Sequence, residues 1–172
     1  MSDFIKYVHL ERFGTDEVDG INIGKCHIFP KIDGTNASIW LDGGVFCCGS
    51  RNRILSLEDD NAGFMAWAIE RQELRALLDG LPSGSRVYGE WLVPHSLKTY
   101  RDDAWRRFYV FDVLLADGEF MHFDDYSRAC SAAQVDFIPC MMTSQNPSYE
   151  ILVGATERNQ FLLKDNSGLG EG

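Results

Sequence analysis

The sequence predicts an α+β fold of mainly antiparallel sheet with helices inserted between the strands. Short runs rich in β-branched and aromatic residues are bounded by Gly, Pro, Asp and Ser turn signals. Apolar residues recur at helix-face spacing between those runs, and strand–helix–strand units do not repeat as a parallel sheet requires.

In chain order, residues 26–33 read as a strand running into a Gly-containing turn. Residues 37–41 and 45–48 are β-prone and joined by Asp42-Gly43-Gly44, a hairpin signal. Phe64, Trp67, Ala68, Leu74, Leu77, Leu78 and Leu81 share a helix face, with a break into two helices at Arg71 or Gln72. Pro82-Ser83-Gly84 ends that stretch. Residues 86–93 and 108–115 are the clearest strands, and Asp117-Gly118 turns the chain after them. Helices are expected over 126–134 and 148–155, and a last short strand over 161–164.

The chain has 172 residues, 45% hydrophobic and 24% charged, which fits one domain over residues 1–172 with a sizeable core. No apolar run reaches membrane-spanning length, and the first residues lack the basic start and apolar stretch of an export signal. A cytoplasmic location without a membrane partner is the expectation. Five cysteines include no Cys-x-x-Cys pair, and the adjacent Cys47 and Cys48 point to opposite faces of a strand. Reduced thiols are therefore expected rather than a zinc site.

The net charge of −10 disfavours sequence-blind adhesion to nucleic acid. Two basic spots stand out. Arg51 and Arg53 flank Asn52, and Lys98, Arg101, Arg106 and Arg107 gather around only Asp102 and Asp103. This pattern fits a protein that grips a few phosphates at one site, and equally a solvated surface.

The segment that carries chemistry is Phe29-Pro30-Lys31-Ile32-Asp33-Gly34-Thr35-Asn36. A lysine at a strand end before an acid and a glycine places an amine beside a tight turn. Such an amine becomes a nucleophile when desolvation or a neighbouring cation lowers its pKa. Lys-x-Asp-Gly alone arises by chance in roughly one chain in a few tens of this size, and a surface lysine before an Asp-Gly turn is the plain alternative.

With four further motifs in order, the chain resembles the covalent nucleotidyltransferases, which comprise DNA ligases, RNA ligases and mRNA capping enzymes. Gly49-Ser50-Arg51-Asn52-Arg53 resembles the arginine segment that follows the lysine motif. Val87-Tyr88-Gly89-Glu90-Trp91 is similar to the strand whose glutamate binds the ribose. Phe108-Tyr109-Val110-Phe111-Asp112-Val113 is similar to the strand whose aromatic residue stacks on the base. Gly170-Glu171-Gly172 looks like the start of the metal-binding glutamate motif. The likeness runs from about Cys26 to the C-terminus. Thr35-Asn36 and the phrase Gly89-Glu90-Trp91-Leu92-Val93-Pro94-His95 look like the phage-type RNA ligase branch.

The resemblance implies the adenylation-domain fold of ATP-dependent ligases and capping enzymes. It implies ATP and Mg2+ (or Mn2+) as cofactors, with RNA 5′-phosphate and 3′-hydroxyl ends as partners. It implies that Lys31 attacks the ATP α-phosphate, that AMP passes to an RNA 5′-phosphate, and that a 3′-hydroxyl then seals the strand. Asp33, Gly34, Arg51, Glu90 and Phe111 would bind the nucleotide, Asn36 and Arg51 the phosphates or RNA end, and Glu171 the metal. His9, His27, His95 and His122 are scattered and are assigned no catalytic role. By strand alternation, Phe111 shares a face with Tyr109 and Val113 while Asp112 points away.

Two departures from the family pattern matter. Pro30 precedes the lysine, so it offers only a carbonyl to a base. The sequence ends as the glutamate motif begins, so the family's last strands and phosphate-binding lysines are expected to be missing, leaving an unpaired sheet edge. A nucleotide-binding remnant without ligase activity and a DNA ligase adenylation domain stay open as alternatives.

Overall fold

The computed structural model describes residues 4–171. Through them run β1 (Lys25–Ile28), β2 (Thr35–Asp42), β3 (Val45–Ser50), α1 (Phe64–Ala68), α2 (Gln72–Gly80) and β4 (Arg86–Trp91). There follow β5 (Phe108–Leu114), α3 (Phe123–Ala133), β6 (Met142–Gln145) and α4 (Tyr149–Thr156). A four-stranded antiparallel sheet has the order β3-β2-β4-β5, and β1 pairs separately with β6.

Period-two alternation sorts the larger sheet into two faces. Ala37, Ile39, Cys48, Val87, Trp91 and Val110 point to one side and pack under α2 and α3, where Leu74, Leu77, Leu78, Tyr126 and Cys130 complete the core. The α2 leucines sit at helix-face spacing, and each fully buried leucine contributes about 1.5–3 kcal/mol. The hairpin of β2 and β3 and the helix break at residues 69–71 follow the sequence expectation. The other sheet face carries Asn36, Ser38, Tyr88 and Glu90, and a second core of Ile32, Leu92, Tyr100, Tyr109, Ile138, Leu162 and Leu163 lies beside it.

Four sequence expectations change. The strand expected over 26–33 ends at Ile28, since Pro30 has no N–H to continue a ladder. Residues 161–164 are not a strand. Leu162 has φ +62°, which breaks the extended run, and Leu163 makes only a single bridge to Tyr100. Strand β6, polar in sequence as Met142-Thr143-Ser144-Gln145, was not expected and is the partner of β1. The helix expected from Tyr126 starts at Phe123, where His122 accepts the N–H of Asp124 as a cap.

A fifth change concerns Phe111. Tyr88 pairs with Asp112 and Gly89 with Val110, so Phe111 is an extra residue bulged out of register. Val113 therefore joins the first core, whereas Tyr109 and Phe111 face the second. Asp112, paired with Tyr88, comes to the Phe111 side instead of pointing away. The bulge needs Gly89: a Cβ there would lie 2.5 Å from the Phe108 ring and 2.6 Å from the Tyr109 carbonyl oxygen.

Candidate functional site

Lys31 leaves the extended run and forms a single antiparallel bridge to Glu171. Its amine is ion-paired with the Glu171 carboxylate, and its side chain is 52% exposed, so an incoming group can reach it. Asn159, only 3% exposed, fastens both backbones from behind. Its amide donates to the Lys31 carbonyl at 3.1 Å and to the Glu171 carbonyl at 2.8 Å.

The turn after Lys31 is pressed against the end of β4. A Cβ on Gly34 would lie 2.4 Å from the Trp91 carbonyl oxygen, so only glycine fits. In that position the Gly34 N–H donates to Glu90 Oε1 at 3.0 Å. Burial pushes the Glu90 carboxyl up to about 7, and the charges of Glu171 and Asp33 add to the rise, against the Gly34 N–H and Lys31. Glu90 is thus no solvent-facing edge acid.

Asp33 faces the loop that follows β4. Its carboxylate lies 2.7 Å from His95 Nδ1 and accepts the Leu97 N–H at 2.5 Å, while its own N–H donates to the Tyr100 hydroxyl at 2.7 Å. Burial alone would raise the Asp33 carboxyl, but bonds from Leu97, His95 and Ser96 outweigh it and hold it below the ordinary value. The Tyr100 hydroxyl is pushed up to about 12 by burial and by the nearby charges of Asp33, Glu171 and Glu90. Glu171 and Glu90 thus both act on the Lys31 amine, and the charge of Asp33 reaches Glu90. Glu171 Oε2 is buried without a hydrogen-bond partner among the described residues.

Asn36 pairs with Glu90 across β2 and β4 and shares its face. Arg51 lies just beyond β3, exposed, with its guanidinium 3.1 Å from His9 Nδ1. Arg53 is taken up by Asp59 at 2.8 Å. The half-buried Phe111 ring meets Tyr7 edge-on at 4.9 Å, and Tyr7 donates to the Asp112 carboxylate. Tyr88 donates to the Ile5 carbonyl at 2.8 Å. The N-terminal segment thus runs along this face and touches both Phe111 and Arg51.

The structure gathers Lys31, Asp33, Gly34, Asn36, Glu90 and Glu171 into one neighbourhood, with Phe111 and Arg51 linked to each other through residues 7–9. Asn159, Tyr100 and His95 are the positioning groups that sequence reasoning missed. They act from 128, 67 and 62 residues away in sequence; no local pattern marks Asn159 or Tyr100, and His95 closes the phrase over 89–95 without a role that the phrase assigns.

Solved structures of Naegleria gruberi RNA ligase share this fold. One variant with ATP and Mn aligns with a TM-score of 0.75 at 15% identity, covering 100% of this chain and 52% of that chain. A second variant with ATP and Mn gives 0.73 at 16%, again covering 100% and 52%. The same ligase with PPi gives 0.66 at 16%, covering 88% of this chain and 46% of that chain. The chain thus spans about half the length of the ligases it matches. No curated protein sequence matches it. The family model described as RNA ligase matches residues 25–172, and the chain belongs to the RNA ligase family.

Proposed function

We propose that this chain is the adenylate-forming domain of an ATP-dependent RNA ligase, with Lys31 as the residue that takes up AMP. The observation that carries the reading is the site at Lys31: an accessible amine paired with Glu171 and close to Glu90, on a backbone that Asn159 holds through the Lys31 carbonyl. The Lys31 nitrogen attacks the ATP α-phosphorus and the bond to pyrophosphate breaks in line with the attack, leaving a lysyl-adenylate. AMP then passes to an RNA 5′-phosphate, and a 3′-hydroxyl displaces it to join the ends.

Glu171 must release Lys31 and the ammonium must give up a proton to solvent before the nitrogen can attack, so the ion pair describes the protein waiting for nucleotide. Phe111 offers an aromatic edge of the base site, Glu90 and Gly34 fix the turn beside the ribose, and Asn36 and Arg51 supply donors for phosphate oxygens. Positioning and electrostatic stabilisation supply the catalysis.

The residues fit a divalent cation by charge: an orphaned Glu171 oxygen, a Glu90 carboxyl raised by burial and neighbouring acids, and Asp33 close by. No group of three His, Cys, Asp or Glu side chains among the described residues is placed to hold an ion directly. Glu90, Glu171 and Asp33 would hold it through its own water, as Mg2+ commonly is. When bound, the cation offsets charge on the ATP phosphates. The ATP and Mn in the related ligase structures support this choice of nucleotide and metal class.

The test is incubation with α-labelled ATP and a divalent cation, followed by a denaturing gel. Label should stay on the unmodified chain and be lost in Lys31→Ala with the fold intact by circular dichroism. Label retained by the alanine variant would remove Lys31 from the mechanism.

A further inference from the structure

The second basic spot of the sequence, around Arg101, Arg106 and Arg107, plays no part in the Lys31 site, yet it lines a groove. One cleft of about 270 Å³ is bordered by Trp67, Arg71, Arg106 and Arg107 together with the acids Glu73 and Asp136. A second of about 260 Å³ shares Arg107 and Asp136 with it and continues to Arg101, Tyr109 and Phe161. The two form one path around the segment between β4 and β5.

The charges along this path are not equivalent. Arg107 is bound to Asp136 at 2.7 Å and Arg101 to Asp103 at 3.2 Å, so both are neutralised. Arg71 lays its guanidinium over the Trp67 ring, 5.0 Å from the centroid, and has no acidic partner among the described residues. Arg106 is exposed, and its side chain likewise has no ion pair or hydrogen bond among the described residues. Its backbone is held at φ +55°, an uncommon state for a residue with a Cβ. The Arg106 N–H donates to the Leu92 carbonyl at 2.8 Å, and the Leu92 N–H donates to the Arg107 carbonyl at 3.0 Å. Leu92 follows Trp91, whose carbonyl is packed against Gly34 of the lysine turn. On a chain of net charge −10, two unpaired guanidiniums beside an aromatic platform form a local exception.

We infer that this groove binds the backbone of a single-stranded RNA segment leading to the end that is joined. Arg71 and Arg106 take two phosphates, and the outer plane of the Arg71 guanidinium, backed by Trp67, offers a surface on which an unpaired base stacks. The identity of the strand as RNA rests on the ligase reading of the Lys31 site; the groove's chemistry, guanidinium plus aromatic, does not.

The test is fluorescence anisotropy of a labelled single-stranded RNA with a 5′-phosphate, titrated with the full chain at several salt concentrations. The variants are Arg71→Gln and Arg106→Asn, the latter because asparagine tolerates the left-handed backbone and so separates charge from strain. Each should lower the slope of log affinity against log salt by about 0.7, the share of one phosphate on a single strand. The double variant should bind roughly tenfold more weakly at low salt. Lysyl-adenylate formation from ATP should be unchanged in both. Variants that bind RNA like the unmodified chain overturn the inference, as does binding that ignores salt. Duplex RNA competing better than the single strand overturns the stacking role of the Arg71 plane over Trp67. RNA binding that is sensitive to both variants on a chain that never takes up label would sink the Lys31 reading alone and leave the groove standing.

Discussion

Glu90 shows how one residue's surroundings set its chemistry. Its carboxyl sits at about 7 in the fold against 4.5 for the ordinary group. Below pH 4.5 it is neutral whether the chain is folded or not. Between 4.5 and 7 the unfolded chain gives up this proton while the folded chain keeps it, so the folded state loses stability as pH rises. The full penalty is in place above pH 7. Glu90→Gln keeps an oxygen to accept the Gly34 N–H and removes the charge. Urea midpoints of the ligand-free variant should therefore match the unmodified protein at pH 4 and exceed it at pH 8. Equal midpoints at both values would mean that Glu90 ionises freely. Glu90 and Lys31 were legible in the sequence because each lies in a short contiguous motif. Asn159 and Tyr100 were not, because a buried side chain that bonds a distant backbone leaves no local spacing to read.

At the scale of elements, alternation located the four strands of the main sheet and failed at one residue. Period-two reading assumes an unbroken register, and the bulge at Phe111 shifts every later side chain of β5 to the other face. The signal available was Gly89, a glycine inside an otherwise bulky strand. Gly89→Ala should force its new methyl against Phe108 and the Tyr109 carbonyl and cost about 1–3 kcal/mol. Thermal unfolding should register this as a fall of about 2–4 °C per kcal/mol. A variant melting with the unmodified protein would show that the bulge relaxes freely. Strand β6 escaped notice for a different reason: a four-residue polar run has no apolar face, and its existence depends on β1.

For the whole molecule, the site is closed by contacts between Lys31 and residues far along the chain, Asn159 and Glu171. Asn159 ties the Lys31 and Glu171 backbones together, and removing its amide leaves two carbonyls short of a partner, at about 1–3 kcal/mol for each one that stays buried. Asn159→Ala should slow label transfer to Lys31 more than it weakens ATP binding, since the base and ribose contacts proposed for Phe111 and Glu90 lie elsewhere. Calorimetry and single-turnover labelling separate the two effects, and equal losses in both would make Asn159 a general support of the pocket. No helix among the described residues is long and apolar enough to cross a membrane.

The pairing of β1 with β6 carries a consequence for the order in which the protein is made. The hairpin of β2 and β3 closes over a two-residue turn, whereas the contact from Asn159 to Lys31 joins residues 128 apart. Closing a loop of that length costs on the order of 4 kcal/mol of chain entropy, and nothing repays it until the distant strand has emerged from the ribosome. The main sheet can therefore form during synthesis while Lys31 still hangs from an unanchored strand. The surroundings of Lys31 are therefore completed only after residues 159 and 171 have been made, later than the main sheet.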